Sequence, residues 1–343
     1  MVKKKDLRVE TLRGIAIIMV VITHVIGGLK FETDCYWNYV ASSLQFLRMP
    51  LFTVISGYVY AYKPVMTGNE RMFIKGKARR LLITFALLTP LYFILRIVFP
   101  TNFTPDINDI VYVYVFPKAG LWYLQALFFI FVIILILEYK NVLSKFLPWL
   151  IISVFSFLLF FFYNSVPNAF SLRGTLYLLP YFLLGLGLNR FEKEFKNIHL
   201  NYLFLFVFIT SFTLLQYNIH YLFGGNSSYH YKFSLIPVLS AITLILLLFQ
   251  INFNNKMLSW LGNYSYSIFL YHVLFCISFR IVQSKLGIEN PFILVAGCTL
   301  PGLIFPIVLE KSINKSAILK LLLLGKSNKK AKNRSIIINF EGA

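Results

Sequence analysis

The chain has 343 residues, of which 58% are hydrophobic and only 13% are charged, and its formal net charge is +20. Water-soluble domains carry about 25% charged residues, so this composition excludes a soluble globular domain, and three cysteines are too few for a disulfide-stabilised scaffold. The sequence therefore predicts an all-α, polytopic transmembrane helical bundle.

Ten apolar segments are long enough to cross a bilayer as helices. In chain order they lie at about 9–29, 37–62, 81–99, 120–138, 147–163, 172–189, 199–217, 233–251, 258–282 and 291–309. The resulting organisation is a basic N-terminus (1–8), a ten-helix membrane domain (9–310) and a basic tail (311–343). Within the tail, the apolar stretch 317–324 is too short to span and is expected along the inner surface.

The positive charge indicates orientation rather than nucleic-acid binding. Lys and Arg accumulate in the cytoplasmic loops of membrane proteins. If the N-terminus is cytoplasmic and the spans alternate, the inner segments hold 24 of the 33 basic residues and the outer segments five. Both ends of the chain are therefore predicted to be cytoplasmic.

The first span places an arginine and a histidine on one helix face. Arg13 and His24 are eleven residues apart, which is about 1100° of rotation and about 16 Å of rise. This rise is comparable to the pantetheine arm of coenzyme A. Arg13 would lie near the cytoplasmic surface, where Glu10 can pair with it, and His24 deep in the bundle.

Other ionisable residues also lie inside predicted spans, where each costs at least about 2.5 kcal/mol. Such residues normally face a polar cavity or a partner, which favours a site at Arg48 and at His272, whose predicted depth matches that of His24. For Arg96 and Arg280, an ion-paired or snorkelling role is an equal alternative. Two imidazoles at one depth can supply a general base and a second hydrogen-bonding group. No third ligand is expected there, so no metal site is predicted.

Six short motifs, in order along nearly the whole chain, carry a family resemblance. They are Glu10, Arg13, Gly14 and His24; Arg48, Pro50, Phe52, Ser56 and Gly57; Arg79 and Arg80; Trp122, Tyr123 and Leu124; Ser265, Tyr266, Phe269, Leu270 and His272; and Glu310 with Lys311. The set resembles the integral-membrane acyltransferase family 3, in its branch of fucose 4-O-acetylase-like sugar acetyltransferases. Two departures are Glu10, where Asp is commoner, and the missing Pro after Lys311.

The resemblance implies an O-acyltransferase of a bacterial inner membrane. The donor would be a cytoplasmic acyl-CoA, usually acetyl-CoA, with no permanently bound cofactor. The acceptor would be a hydroxyl of an O-antigen, capsule, exopolysaccharide or lipid-linked repeat unit. A transporter or flippase for lipid-linked glycans is the alternative, although no internal repeat of the transporter kind is visible.

Roles for individual residues follow from combining the resemblance with the expected depths. Arg13, Arg79 and Arg80 would bind the cofactor phosphates, and His24 would be the general base or would itself carry the acyl group. His272 would orient the acceptor or stabilise the oxyanion, with Arg48 as a candidate electrophile. Acceptor contacts are expected from Trp122, Tyr123, Arg173 and Asp34.

Simpler interpretations stand beside these roles. Ser56, Gly57 and Ser265 are equally expected to permit close helix packing. Trp122 and Tyr123 would be ordinary aromatic anchors at the outer interface, and the paired arginines would only mark topology, with Glu310 neutralising one of them.

Overall fold

The computed structural model describes residues 6–32, 35–65, 68–99, 106–116, 120–196, 198–222 and 234–326, and these ranges contain helices but no strand. The α-helices are α1 (Leu7–Leu29), α2 (Tyr36–Ala61), α3 (Glu70–Ala78), α4 (Thr84–Val98), α5 (Trp122–Tyr139), α6 (Phe146–Phe161), α7 (Leu172–Arg190), α8 (Glu192–Phe195), α9 (Ile198–Tyr217), α10 (Leu235–Gln250), α11 (Lys256–Asn263), α12 (Ser265–Lys285), α13 (Pro291–Ile313) and α14 (Ala317–Leu324).

Seven helical stretches in the described ranges are long and apolar enough to cross a membrane. They are Leu7–Leu29, Glu70–Val98, Trp122–Tyr139, Ala169–Arg190, His199–Leu222, Ser265–Lys285 and Pro291–Ile313. The other predicted spans are helical too: α2 has 26 residues, while α6 and α10 have 16 each, shorter than the roughly 20 residues a span needs. An all-helical, multi-pass membrane protein is therefore confirmed. The count of ten spans and the cytoplasmic placement of both ends stay predictions.

The outward faces of α6 and α9 are strongly apolar, as a lipid-facing surface must be. Leu147, Ile151, Phe155 and Leu158 on α6 are each more than half exposed. The same pattern runs along α9. These helices lie at the periphery, whereas α1 packs against α2, α11, α12 and α13 in the interior.

The predicted span 258–282 is wrong as a single helix, because the chain breaks at Tyr264. Helix α11 starts after Asn255, whose side chain accepts a hydrogen bond from the Leu258 N–H, and ends at Asn263. Helix α12 begins at Ser265. The Gly262–Asn263 pair has low helix propensity, and the break frees α11 to lie across the start of α1.

Glycines set the closest helix crossings. A Cβ on Gly14 of α1 would lie 2.0 Å from the Leu258 carbonyl oxygen, and one on Gly262 would lie 2.0 Å from the Glu10 carbonyl oxygen. A similar reciprocal contact joins α2 and α7 through Gly57 and Gly185. The packing interpretation of Gly57 is therefore confirmed, and the glycine after Arg13 has the same steric reason.

The end of the bundle at which α1 begins carries Arg8, Arg79, Arg80, Lys256 and Lys326 and is called the basic end below. Here α14 docks against α4 and α13, and Leu324 is fully buried. The buried Glu310 pairs with Lys326 and accepts a hydrogen bond from Ser267. The expectation that Glu310 neutralises Arg79 or Arg80 is therefore wrong, because the chain after α14 supplies the cation.

Candidate functional site

A cavity of about 260 Å³ lies at the end of the bundle opposite the basic end. Its walls come from the C-terminal parts of α1 and α4, from α12 between Phe269 and Arg280, from the two residues before α5, and from Arg48 of α2 and Cys298 of α13. The described lining residues include two histidines and three arginines, and no Asp or Glu is among them. A polar, cationic cavity inside an apolar bundle is where a membrane protein would hold a substrate.

The two histidines meet in this cavity. The ring centroids of His24 and His272 are 5.2 Å apart, and their planes are tilted by 52°. The expectation that they share one depth is thus confirmed, although α1 and α12 are far apart in the sequence. His24 is exposed to the cavity, whereas His272 is only 3% exposed.

The hydrogen bonds of His272 define its tautomer. Its Nδ1 lies 2.9 Å from the Ile268 carbonyl oxygen and 3.0 Å from that of Phe269. Carbonyl oxygens only accept, so the partners assign the proton to Nδ1 and leave Nε2 of the neutral ring as an acceptor. That Nε2 is buried and has no hydrogen-bond partner among the described residues.

Arg48 is fixed beside His24 through the residue that precedes it. Its Nη1 donates to the Thr23 hydroxyl, which in turn donates to the Met19 carbonyl oxygen at 2.7 Å. The Arg48 Nε is buried, and within the described part of the chain it has no acceptor. A guanidinium held next to an imidazole, with one N–H unused, is suited to stabilise negative charge in the cavity.

Arg96 and Arg280 bring two further cations into the same cavity. Arg280 donates from Nη1 to the Gly28 carbonyl oxygen, in the last turn of α1, where the helix dipole favours a cation. Arg96 lies against Gly120: a Cβ on that glycine would be 3.2 Å from Nη2, and its φ of +100° suits glycine. The sequence singled out both arginines and left a place in the site and an ion-paired or snorkelling role as equal alternatives.

Thr23 and Tyr92, which also line the cavity, were missed. Tyr92 donates from its hydroxyl to the Leu270 carbonyl oxygen, two residues before His272. A hydroxyl residue adjacent to an intramembrane histidine was the signal available for Thr23. Nothing in the sequence marks Tyr92.

A cluster of three aromatic rings meets the cavity at Phe269, on the side of the basic end, and Phe269 alone of the three lines the cavity. Phe269 precedes His272 by three residues, a rise of about 4.5 Å toward the basic end, which is slightly less than one helical turn. The Tyr123 ring lies 5.3 Å from Phe269 and 6.3 Å from Phe52, and Phe52 lies 6.4 Å from Phe269. We call Phe52, Tyr123 and Phe269 the aromatic floor.

Arg13 does not line the cavity. Its Nη1 lies 2.9 Å from both carboxylate oxygens of Glu10, which confirms the expected pair one turn apart. Because α1 is a continuous helix from Leu7 to Leu29, the rise of about 16 Å from Arg13 to His24 also holds. Arg13 is therefore separated from the histidines by about half of the length of α1.

The paired arginines lie in a five-residue π-helical turn, Arg79–Ile83, at the basic end. Arg79 donates from Nε to the Gly325 carbonyl oxygen at 3.2 Å. Arg80 is exposed and its guanidinium stacks 4.6 Å from the centre of the Tyr266 ring, while its carbonyl oxygen accepts from the Tyr266 hydroxyl. Both side chains therefore contact ordered parts of the protein and extend from a helical turn. Phosphate binding by Arg13, Arg79 and Arg80 stays a prediction.

The candidate acceptor contacts are not brought together in the cavity. Trp122 packs against Gly174 of α7, and Arg173 donates from Nε to the Val166 carbonyl oxygen at 2.7 Å. Tyr123 is 4% exposed inside the bundle, so its alternative role as an interface anchor is wrong. The cause is local, since the turn at Gly120 brings the start of α5 inward beside Arg96. Asp34 lies outside the described residues.

No group of three or more His, Cys, Asp or Glu able to hold a metal ion occurs in the described ranges.

Similarity to known proteins is found at the level of the family. The family model described as an acyltransferase domain matches residues 6–311, nearly the whole chain. No curated protein and no solved structure shows significant similarity to the chain.

Proposed function

The chain belongs to this acyltransferase domain family, and from that premise we propose that it is a membrane O-acyltransferase that modifies a carbohydrate. One observation carries the proposal: His24 and His272, from helices distant in sequence, meet at a cavity beside Arg48, in an otherwise apolar helical bundle. The reaction moves an acyl group, most simply acetyl, from acyl-CoA to a sugar hydroxyl.

His24 is the general base of this reaction. It accepts the proton of the acceptor hydroxyl as that oxygen attacks the thioester carbonyl carbon. The new C–O bond forms, the C–S bond breaks, and the proton passes from His24 to the departing CoA thiolate. The exposure of His24 to the cavity supports this role, because a base must reach the proton it removes.

Arg48 and His272 assist from fixed positions. The Arg48 guanidinium stabilises the oxyanion that develops on the thioester oxygen. His272 presents Nε2 as a hydrogen-bond acceptor, which orients either the acceptor hydroxyl or the His24 ring. Its Nδ1, engaged by two carbonyl oxygens, keeps that orientation constant.

The donor enters from the basic end, where Arg13, Arg79 and Arg80 bind the phosphates of acetyl-CoA. In this proposal the basic end faces the cytoplasm of a bacterium, and the cavity opens to the outer side of the inner membrane. The acceptor is a unit of O-antigen, capsule, exopolysaccharide or a lipid-linked repeat, as in the fucose 4-O-acetylase-like branch. The match of the first-span motif, Glu10, Arg13, Gly14 and His24, supports this assignment.

The test uses a deletion strain complemented with variants, and surface glycans analysed by mass spectrometry. Wild type restores acylation, and His24→Ala lowers it about 10²–10⁴-fold with unchanged membrane expression. His199→Ala, an exposed histidine outside the cavity, is the matched control and retains wild-type acylation. Total glycan export is measured beside it. Loss of glycan export without any change in acylation would overturn the proposed acyltransferase activity and favour a flippase.

A further inference from the structure

The cavity carries more positive charge than the proposed chemistry uses. Arg48 and Arg280 both line it, and each donates only to a neutral oxygen, the Thr23 hydroxyl and the Gly28 carbonyl. Neither arginine has a salt bridge to a described carboxylate, and no described Asp or Glu lines the cavity. An uncompensated guanidinium inside a membrane bundle is costly, so a role in binding is the default explanation.

These arginines are in the wrong place for the phosphates of the donor. They line the same cavity as His24 and His272, where the thioester must react. The phosphates of coenzyme A lie at the other end of its pantetheine arm. That distance is comparable to the rise of about 16 Å between His24 and Arg13. Because Arg48 already serves the thioester oxyanion in the proposed reaction, the anion left for Arg280 belongs to the acceptor.

Resting on the proposed function, we propose that the acceptor sugar is itself anionic, with a carboxylate or phosphate bound by Arg280, while its hydroxyl faces His24. Arginine suits this because its planar fork matches a carboxylate or phosphate through two N–H donors. The Nε of Arg48 is buried and has no acceptor among the described residues, so one further N–H is left for the thioester oxyanion.

The size of the cavity agrees with a single sugar unit. Its volume of about 260 Å³ is just below the range of roughly 300–1,000 Å³ that suits drug-sized ligands. One pyranose ring with its anionic substituent fits such a space, whereas an oligosaccharide must extend out of the opening. The charge is therefore expected on the acylated unit and not on a remote part of the polymer.

The first experiment identifies the acylated unit. Surface glycans from cells with and without the gene are hydrolysed mildly and fragmented by mass spectrometry. An acylated hexuronate or other carboxylated sugar supports the carboxylate source, and an acylated phosphosugar supports the phosphate source. Acylation on a neutral sugar overturns the inference but leaves the proposed function intact. If no gene-dependent acylation is found, the proposed function itself fails and this inference fails with it.

The second experiment separates binding from a structural role of Arg280 at the end of α1. Arg280→Gln lowers glycan acylation at least tenfold, and Arg280→Lys retains more because the charge remains. Lys285→Gln, an exposed residue on the same helix outside the cavity, stays within twofold of wild type. In purified protein, Arg280→Gln keeps its thermal stability and its affinity for coenzyme A measured by calorimetry. Wild-type acylation in Arg280→Gln, or a parallel loss of stability and coenzyme A affinity, would refute anion binding.

Discussion

Replacing Gly14 with alanine tests how tightly the position of His24 depends on the crossing of α1 with α11. The added Cβ would lie 2.0 Å from the Leu258 carbonyl oxygen, and real Cβ atoms essentially never approach a neighbour closer than 3.0 Å. The helices must therefore separate by at least about 1 Å. The obstacle is main chain, so no side-chain rotation relieves it. Overpacking of this kind costs about 1–3 kcal/mol of stability.

The functional cost is expected to be of the same size as the loss of stability, since a hundredfold loss of rate corresponds to about 2.7 kcal/mol. Helix α1 carries His24 as a rigid body from this crossing, and a misplacement of about 1 Å at a reacting group can lower the rate about a hundredfold. We therefore expect Gly14→Ala to fold with a lower melting temperature and to lose up to about a hundredfold in turnover. The assays are thermal unfolding in detergent and acyl transfer from radiolabelled acetyl-CoA.

Two further variants sharpen this test. Gly76→Ala in α3 is the control, because a Cβ there meets nothing within 4 Å, and it should leave stability and turnover unchanged or slightly improved. Leu258→Ala combined with Gly14→Ala should not restore activity, since the clash is with the backbone. Wild-type stability and turnover in Gly14→Ala would refute the close crossing.

The remaining predictions concern the basic end and the topology. Arg13→Ala should weaken acyl-CoA binding about ten- to a hundredfold in calorimetry, through loss of about 1.5–3 kcal/mol of binding free energy, and Arg13→Lys should weaken it less. Unchanged affinity would mean that Arg13 serves only as the ion-pair partner of Glu10. Lys326→Ala should destabilise the protein by about 1–2 kcal/mol in thermal unfolding, because the Glu310 carboxylate is left buried without its cation. Lys311→Ala removes the same charge at an exposed position and is the control. Equal melting temperatures of the two variants would contradict the prediction. A cysteine at Asn69 should react with an impermeant thiol reagent only in opened cells, and one at Asn108 in intact, outer-permeabilised cells; the opposite pattern would invert the proposed orientation.

The parts of the site that the sequence predicts are those governed by a single helix. Glu10 and Arg13 pair because residues three apart on a helix are neighbours, and the structure shows that pair. The common depth of His24 and His272 was found by counting residues from the start of each apolar segment. The count succeeded although the predicted span that holds His272 is really two helices, which are separated at Tyr264.

What the sequence does not predict depends on contacts between distant segments. No pattern around Arg280 or Arg96 shows that both converge on the histidines, because that requires the ends of α1, α4 and α12 to meet. Tyr123 illustrates the same limit. An aromatic residue at the start of an apolar segment normally lies at the interface, but the turn at Gly120 carries this one into the bundle.

The aromatic floor has a consequence for the membrane as an electrical barrier. A protein that accepts a thioester from one side and a sugar from the other holds two openings toward one reaction centre, and an open passage between them would let ions and protons leak down their gradients. Phe52, Tyr123 and Phe269 form a cluster of large rings between the cavity and the basic end, where such a passage would run. The pantetheine arm is narrow and carries amides and a hydroxyl but no charge, so it would pass such rings at a lower cost than an ion, which would have to shed its water shell. The proposed transfer of an acyl group across the bilayer would then proceed without conductance.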